Sequence, residues 1–344
     1  MRQENLALLG NRHDGVVRVF CSVVIPLYNK ASHIRRAVES VLNQSLGEFE
    51  LIVVDDGSTD GGGEIVRQMC APRTRLICQA NAGVSAARNR GIDESRADLV
   101  AFLDADDEWK PSFLKTIARL RARYPQCGGY ATSYERLFAD GSRRSPACVG
   151  DLPPGWEGVI DNYFQLAARS SPFCSSSCAI TKEAFRVAGS FPVGIALAED
   201  EDMWVRLSLK WQIAWSTLPE VVYHQATDNR ATERLCHTAE PGYVTTADEA
   251  LAAGQVPVHL VHDLREYMAI QRMRAVPNRL RFGDRRTASL LLERSSSTTA
   301  FRRQWLYYRC LAALPTSIAS AWLHTTRSLA HTWVSRTAKA VLRW

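Results

Sequence analysis

Four short apolar runs, Ser22–Pro26, Leu51–Asp55, Arg75–Cys78 and Leu99–Leu103, recur in the first 125 residues, and each is separated from the next by a stretch long enough for a helix. Strands spaced in this way pair side by side only if the chain crosses back over the sheet after each one. The pattern therefore predicts an α/β fold with a doubly wound, mostly parallel sheet. The gaps carry helical spacing. Ile34, Val38, Val41 and Leu42 share one face, and a second helix opens at Pro111, buries Phe113, Leu114, Ile117 and Leu120, and ends at Tyr124-Pro125. In such sheets ligands bind beyond the carboxyl ends of the strands, so the residues after each run are where function is sought.

Residues 126–172, rich in Gly, Pro, Ser and Arg and including Asp140-Gly141 and Pro153-Pro154-Gly155, read as an irregular or hairpin-containing insertion. Order resumes with a strand at Ser177–Ile180, a helix over Thr181–Ala188 capped by Gly189, a helix from about Glu199 carrying Trp204, Leu207 and Trp211, and a strand at Val221–Tyr223 before His224. The expected division is an N-terminal segment over 1–19, a catalytic domain over 20–235, and a basic, aromatic-rich helical region over 245–344.

Charge is unevenly spread. Of 42 Lys and Arg and 36 Asp and Glu, 15 basic but only 3 acidic residues fall in 264–344, which leaves 27 against 33 before it. An acidic body with a basic tail fits docking on an anionic membrane surface or packing of the tail on that body; no nucleic-acid partner is expected. The short apolar patch Leu6–Leu9 is unlike a secretory signal, and the scattered cysteines lack zinc-site pairing. A cytoplasmic protein with reduced thiols is expected, possessing at most a peripheral hold on the inner membrane face.

Three acidic clusters stand next to predicted elements: Asp55-Asp56, Asp104-Ala105-Asp106-Asp107, and Glu199-Asp200-Glu201-Asp202. The first alone reads as a turn and the last alone as the acidic first turn of a helix. Asp104 and Asp106 are different, because two carboxylates just past a buried strand face one way and repel unless a cation joins them. Hard oxygen ligands suit Mg²⁺ or Mn²⁺ on a nucleotide diphosphate. The first strand runs into Pro26-Leu27-Tyr28-Asn29 and not into Gly-x-Gly-x-x-Gly, and no phosphate-binding Gly-Lys-Ser/Thr loop is present, which argues against a dinucleotide oxidoreductase and a P-loop NTPase.

Five segments in order, Ser22–Lys30, Val53–Asp60, Asn81–Gly91, Phe102–Trp109 and Ala198–Arg206, resemble the inverting glycosyltransferases of family 2 with the GT-A fold. The resemblance spans about residues 20–230 and departs from the family at Gly61-Gly62-Gly63 and Pro192. It implies transfer of a sugar from a nucleotide-diphosphate donor, a UDP-sugar by the preference of an acidic acceptor for a base imide, to a saccharide or lipid-linked saccharide in surface polysaccharide or glycolipid assembly. By the same resemblance Pro26, Tyr28 and Asn29 line the nucleobase slot, Asp56 accepts from the base, Arg88 faces the diphosphate, and Asp104 contacts ribose and the metal's water shell. Asp106 binds the metal, and His224 completes the metal site or touches the diphosphate unless it is an ordinary polar residue. Glu199 holds the donor sugar. Asp200 is the general base, expected to be ionised because it stands in the first turn of a helix. Trp109 is either a sugar-stacking or a core residue. The alternative is a catalytically silent transferase-like scaffold recruited by its basic tail.

Overall fold

The computed structural model describes residues 19–69, 71–195, 197–225 and 240–325. Its strands are β1 (Cys21–Leu27), β2 (Phe49–Asp55), β3 (Thr74–Cys78), β4 (Leu99–Phe102), β5 (Glu108–Trp109), β6 (Gly129–Leu137), β7 (Arg143–Arg144), β8 (Glu157–Val159), β9 (Cys178–Thr181) and β10 (Ile213–His224). They form one sheet in the order β3-β2-β1-β4-β9-β6-β10-β5. The first four are mutually parallel, with Val23 opposite Leu51 on one side and Ala101 on the other. β9 runs antiparallel to β4 and β6, while β6 and β10 are parallel. Every residue of β1 and β2 is buried, as expected of central strands covered on both faces.

The covering helices are α1 (Ala31–Leu42), α2 (Gly62–Met69), α3 (Val84–Glu94), α4 (Phe113–Arg123), α5 (Tyr163–Arg169), α6 (Lys182–Ala188) and α7 (Glu199–Lys210). The expected strands and helices of the first 125 residues are all present. Thr181 caps α6 by accepting from Ala184 N, and Gly189 ends it at φ 85°. Trp204 and Leu207 are core, as expected, whereas Trp211 lies just past the end of α7 in extended backbone and is only partly buried.

The stretch 126–172 departs from the expected insertion. It opens with β6, a central strand whose sequence, Gly-Tyr-Ala-Thr-Ser-Tyr-Glu-Arg-Leu, buries Thr132 and Ser133 and so hides its apolar signal. A Cβ at Gly128 would stand 2.6 Å from the Trp211 ring, so the glycine that reads as a loop signal is a packing requirement. Asp140-Gly141 turns β6 into β7 as a hairpin, one of the two forms the composition allowed. β10 begins at Ile213, earlier than expected, because a register shift around Pro219 divides one long strand into two short apolar pieces.

After residue 240 come α8 (Gly242–Ala252), α9 (Val261–Arg281), α10 (Arg285–Arg294), α11 (Arg302–Ala313) and α12 (Thr316–Thr325). They are packed on the body. α8 lies against α7 and α9 against α5, and Tyr267, Met273, Leu292 and Leu323 share a hydrophobic core with Val24, Phe102 and Trp204. Several of the tail's arginines are spent internally. Arg272 bridges Glu240 (2.6 Å) and Asp248 (2.5 Å), and Arg294 pairs with the same two acids. Among the described residues no helix is long and apolar enough to cross a membrane. The expected tail residues from 326 onward, and the 1–18 part of the N-terminal segment, lie outside the described residues.

Candidate active site

The carboxyl ends of β1, β2, β3 and β4 meet the first turn of α7 in one region. At the end of β1, Tyr28 is half exposed (49%) while Pro26 is buried within the strand opposite Val54. Tyr28 can therefore offer a face to a base, and Pro26 only supports the strand beneath it. Asn29 takes the left-handed conformation (φ 50°), which its short amide tolerates. Its Oδ1 accepts from Thr59 N (2.8 Å), and its own N–H donates to Ser58 Oγ (3.1 Å), so it stitches the loop after β1 to the loop after β2. Asp55 turns that second loop by accepting from Ser58 N (2.9 Å).

Asp56 is buried and already accepts three hydrogen bonds, from Gln79 Nε2 (2.8 Å), Ala82 N (2.9 Å) and Gly83 N (2.8 Å). A carboxylate offers about four acceptor positions, so one remains for a base N–H. The main work of Asp56 in this structure is to clamp the 79–83 loop that leads into α3.

Arg88 does not stand open toward a diphosphate, nor is it a surface ion pair. Its side chain is 3% exposed, donates to Glu199 Oε1 (2.7 Å) and Asp104 Oδ1 (2.7 Å), and lies over the Phe191 ring. The α3 helix directs it inward, between the two acidic clusters, and their charges take up both ends of the guanidinium. The clusters are thereby tied together across a gap of 95 residues in sequence.

On the other side of Asp104, Asp106 Oδ2 lies 2.7 Å from Lys30 Nζ, and Arg36 donates to its backbone carbonyl. Asp107 is buried and accepts from Ser176 Oγ (2.5 Å) and His224 N (3.2 Å). Burial and the adjoining carboxylates of Asp106 and Asp104 push Asp107 well above the usual carboxylate range. His224, at the end of β10 beside β5, is thus brought to the acidic turn, with Nε2 3.4 Å from Glu108 Oε2. Burial and Arg36 lower its basicity. Trp109 is core: it stacks on Phe113 with centroids 4.0 Å apart and donates to Ser176 O.

Among the described residues no three His, Cys, Asp or Glu side chains form a closed metal cage. Mg²⁺ and Mn²⁺ sites on phosphate substrates use one or two carboxylates and take their other ligands from phosphate and water. The donor set of Asp106 and Asp104, with His224 nearby, is of that kind and fits a hard cation completed by a diphosphate.

Asp200 corrects the expectation of a carboxylate kept ionised by its helix. Burial, then the charges of Glu199 and Glu201, raise it to about 8. Its Oδ2 accepts from Ser175 Oγ (3.4 Å) and its Oδ1 from Glu201 N (2.9 Å). Burial and the two flanking glutamates outweigh the helix terminus. Ala198 before them is held at φ 62°, a conformation uncommon for a residue with a Cβ and typical of constrained functional turns. Lys30, Arg36, Gln79 and Ser175–Ser177 belong to the site without having been singled out from the sequence; only Lys30 lay inside a quoted motif.

Residues 22–185 match the model of glycosyl transferase family 2. The "uncharacterized glycosyltransferase YibD" of Escherichia coli (strain K12) is 46% identical over 98 residues, 28% of this chain and 28% of that protein. The match thus spans well under half of that curated relative. In fold, the chain resembles S. aureus TarS 1-349 in complex with UDP-GlcNAc (TM-score 0.61, 17% identity, 94% of this chain and 90% of the other). It also resembles the mannosyltransferase PcManGT of Pyrobaculum calidifontis in complex with GDP-Man and Mn²⁺ (TM-score 0.56, 20% identity, 94% and 86%). The fold is that of GT-A glycosyltransferases.

Proposed function

We propose that the chain transfers a sugar from a nucleoside-diphosphate donor, a UDP-sugar, to an acceptor hydroxyl with inversion at the anomeric carbon. The observation that carries this reading is the Arg88 tie, which fixes the 104–107 turn and the 199–202 turn at one cleft beyond the strand ends. An inverting displacement needs such an arrangement, with the leaving group on one side of the sugar and a proton acceptor on the other. Asp200 takes the proton of the attacking hydroxyl as the new glycosidic C–O bond forms and the bond from the anomeric carbon to the diphosphate oxygen breaks. Tyr28 and the remaining acceptor position of Asp56 receive the base, with Asn29 and Pro26 supporting the slot. Glu199, one oxygen on Arg88, directs the other at donor hydroxyls. Lys30 is the cation beside the diphosphate position, the role expected of Arg88. Asp106 would hold Mg²⁺ or Mn²⁺, with Asp104 and His224 beside it, and the ion supplies positive charge against the departing diphosphate.

The acceptor class that fits is a saccharide or lipid-linked saccharide of surface polysaccharide or glycolipid assembly. The titration of UDP in Mn²⁺ by calorimetry tests the assignment. Asp106→Asn keeps the shape and loses the charge, so the Mn²⁺-dependent part of UDP binding should disappear. Wild-type affinity in the variant would overturn the metal assignment.

A peripheral contact with an anionic membrane belongs to the same reading. Ile318 and Trp322, one turn apart on α12, are each 53% exposed, Leu314 precedes them at the same spacing, and the sequence after Glu293 has no acid. Basic residues near an anionic surface contribute about 1 kcal/mol each. Leu291, Leu292, Tyr308 and Leu311 are core, so the contact is best tested without deleting these helices. Co-sedimentation with phosphatidylserine vesicles should weaken in high salt and weaken several-fold in the double variant Ile318→Ser, Trp322→Ser. Unchanged binding by the variant, or no binding by the intact chain, would reject this contact.

A further inference from the structure

The first turn of α7 presents four carboxylates in a row, and each is held by a different part of the molecule. Glu199 is held by Arg88 and Asp200 by Ser175. Glu201 accepts from two phenols, Tyr163 Oη (3.0 Å) on α5 and Tyr267 Oη (3.4 Å) on α9, and the Ser171 hydroxyl and the Arg274 guanidinium also act on it. Asp202 accepts from Thr246 Oγ1 (2.5 Å) on α8 and from Arg206 Nε (2.8 Å). Both residues that follow Asp200 are therefore gripped from the helical layer after residue 240. The grip is rigid. Tyr267 is fully buried and lies between Tyr163 and Tyr243, with ring centroids 6.4 and 6.0 Å away.

We propose that Tyr267, together with Tyr163, is a positioning residue for glycosyl transfer: its phenol fixes the Glu201 carboxylate behind Asp200, so that the C-terminal helical layer holds the first turn of α7 in place. The proposal rests on the reading of Asp200 as the proton acceptor. It gives the helical layer a part in the reaction that neither its basic charge nor its distance along the chain would reveal. The choice of phenols over a cation has a physical consequence. A lysine or arginine in contact with Glu201 would cancel its charge, whereas the neutral donors orient the carboxylate; burial raises Glu201 above the ordinary carboxylate range, and these donors, with Arg274 from farther off, favour its ionised form beside Asp200. Burial, then Glu201 itself, push both phenols well above their ordinary range, so they remain protonated donors.

Asp200 meets charge from every side. On its own helix it faces Glu199 and Glu201, from α3 Arg88, and from the end of β4 Asp104. The thiols of Cys174 and Cys178, and the phenols of Tyr163 and Tyr243, also lie within electrostatic reach. Removal of the Tyr267 hydroxyl changes only one of these neighbours directly. Glu201 loses a donor to its ionised form and keeps its proton to higher pH, so less negative charge stands beside Asp200, and Asp200 should release its proton at lower pH.

Side-chain ¹³C titration of the free, full-length protein labelled at aspartate carboxyls reads this, with the Asp200 resonance assigned by its loss in Asp200→Asn. In Tyr267→Phe the Asp200 midpoint should move down, and the kcat of UDP release from UDP-N-acetylglucosamine to water in Mn²⁺ should fall several-fold with KM within about twofold. Tyr163→Phe provides the same measurement if the first variant folds poorly. An unmoved Asp200 midpoint in a folded variant would overturn the proposal, as would equal loss of donor affinity and turnover. Wild-type UDP release by Asp200→Asn would instead overturn the proton-acceptor reading, and the titration would still decide whether Tyr267 governs the turn.

Discussion

Asp200→Asn should lower glycosyl transfer by roughly two to four orders of magnitude, the usual contribution of a general base, while UDP binding in Mn²⁺ stays near wild type. The same substitution should make the free protein more stable. In the folded chain Asp200 holds its proton to about pH 8, whereas an unfolded Asp releases it near the ordinary value of 3.8. Between those two values the folded state binds the extra proton, so the stability from this group falls as pH rises through the window and reaches its minimum above about 8. Asn carries no such penalty. The melting temperature of the variant minus that of the wild type should therefore grow from pH 5 to pH 8.5. A difference that is flat with pH would remove the case for a strained, proton-retaining Asp200. The raised value also suits the chemistry, because a base whose pKa lies near working pH accepts a proton more strongly than an ordinary carboxylate. Transfer should rise with pH toward about 8. The product anomer should be inverted, and retention would exclude the single displacement.

β1, β2 and β4 were legible in the sequence because every residue in them is buried and they read as nearly unbroken apolar runs, while the half-buried edge strand β3 was legible from its place between two helical stretches. β6 was not, since Gly128, Thr132 and Ser133 serve packing against Trp211 and interior positions that composition assigns to loops. The acidic clusters were legible as clusters: two of them alone serve as a turn and a helix start, but Asp104 and Asp106 just past a buried strand repel without a cation. Their partners were not. Lys30 on Asp106, Gln79 on Asp56, Ser175 on Asp200 and the phenols on Glu201 are ordinary residue types, and only the crossing of distant segments makes them part of the site. Asp200 shows the same limit in energetic form. Its place in a helix's first turn is local and readable, while the burial and the like charges that outweigh the helix terminus are products of the fold.

Arg88 carries the largest expected effect on stability. Arg88→Met keeps most of the aliphatic stem and removes the guanidinium, which leaves Asp104 and Glu199 facing one another in a largely dry space with no cation between them. Breaking a buried pair from one side typically costs about 3–5 kcal/mol, because the stranded charge loses its partner without regaining water. Here two carboxylates are stranded at once, and the cation–π contact with Phe191 at 5.3 Å is lost as well. The melting temperature should fall by roughly ten degrees at pH 8. The loss should be smaller at pH 5, since Asp104, freed of the guanidinium that favours its ionised form, takes up a proton as pH falls and so relieves the repulsion. Arg88→Lys should rescue only part of the loss: one ammonium cannot donate in plane to Glu199 Oε1 and Asp104 Oδ1 at 2.7 Å each, as the guanidinium fork does. Calorimetric melting of the three proteins at pH 5 and pH 8 decides the matter. A melting temperature for Arg88→Met within a degree or so of wild type at pH 8 would mean that the two acidic turns are held at one cleft by their own segments, and that the tie between them is incidental.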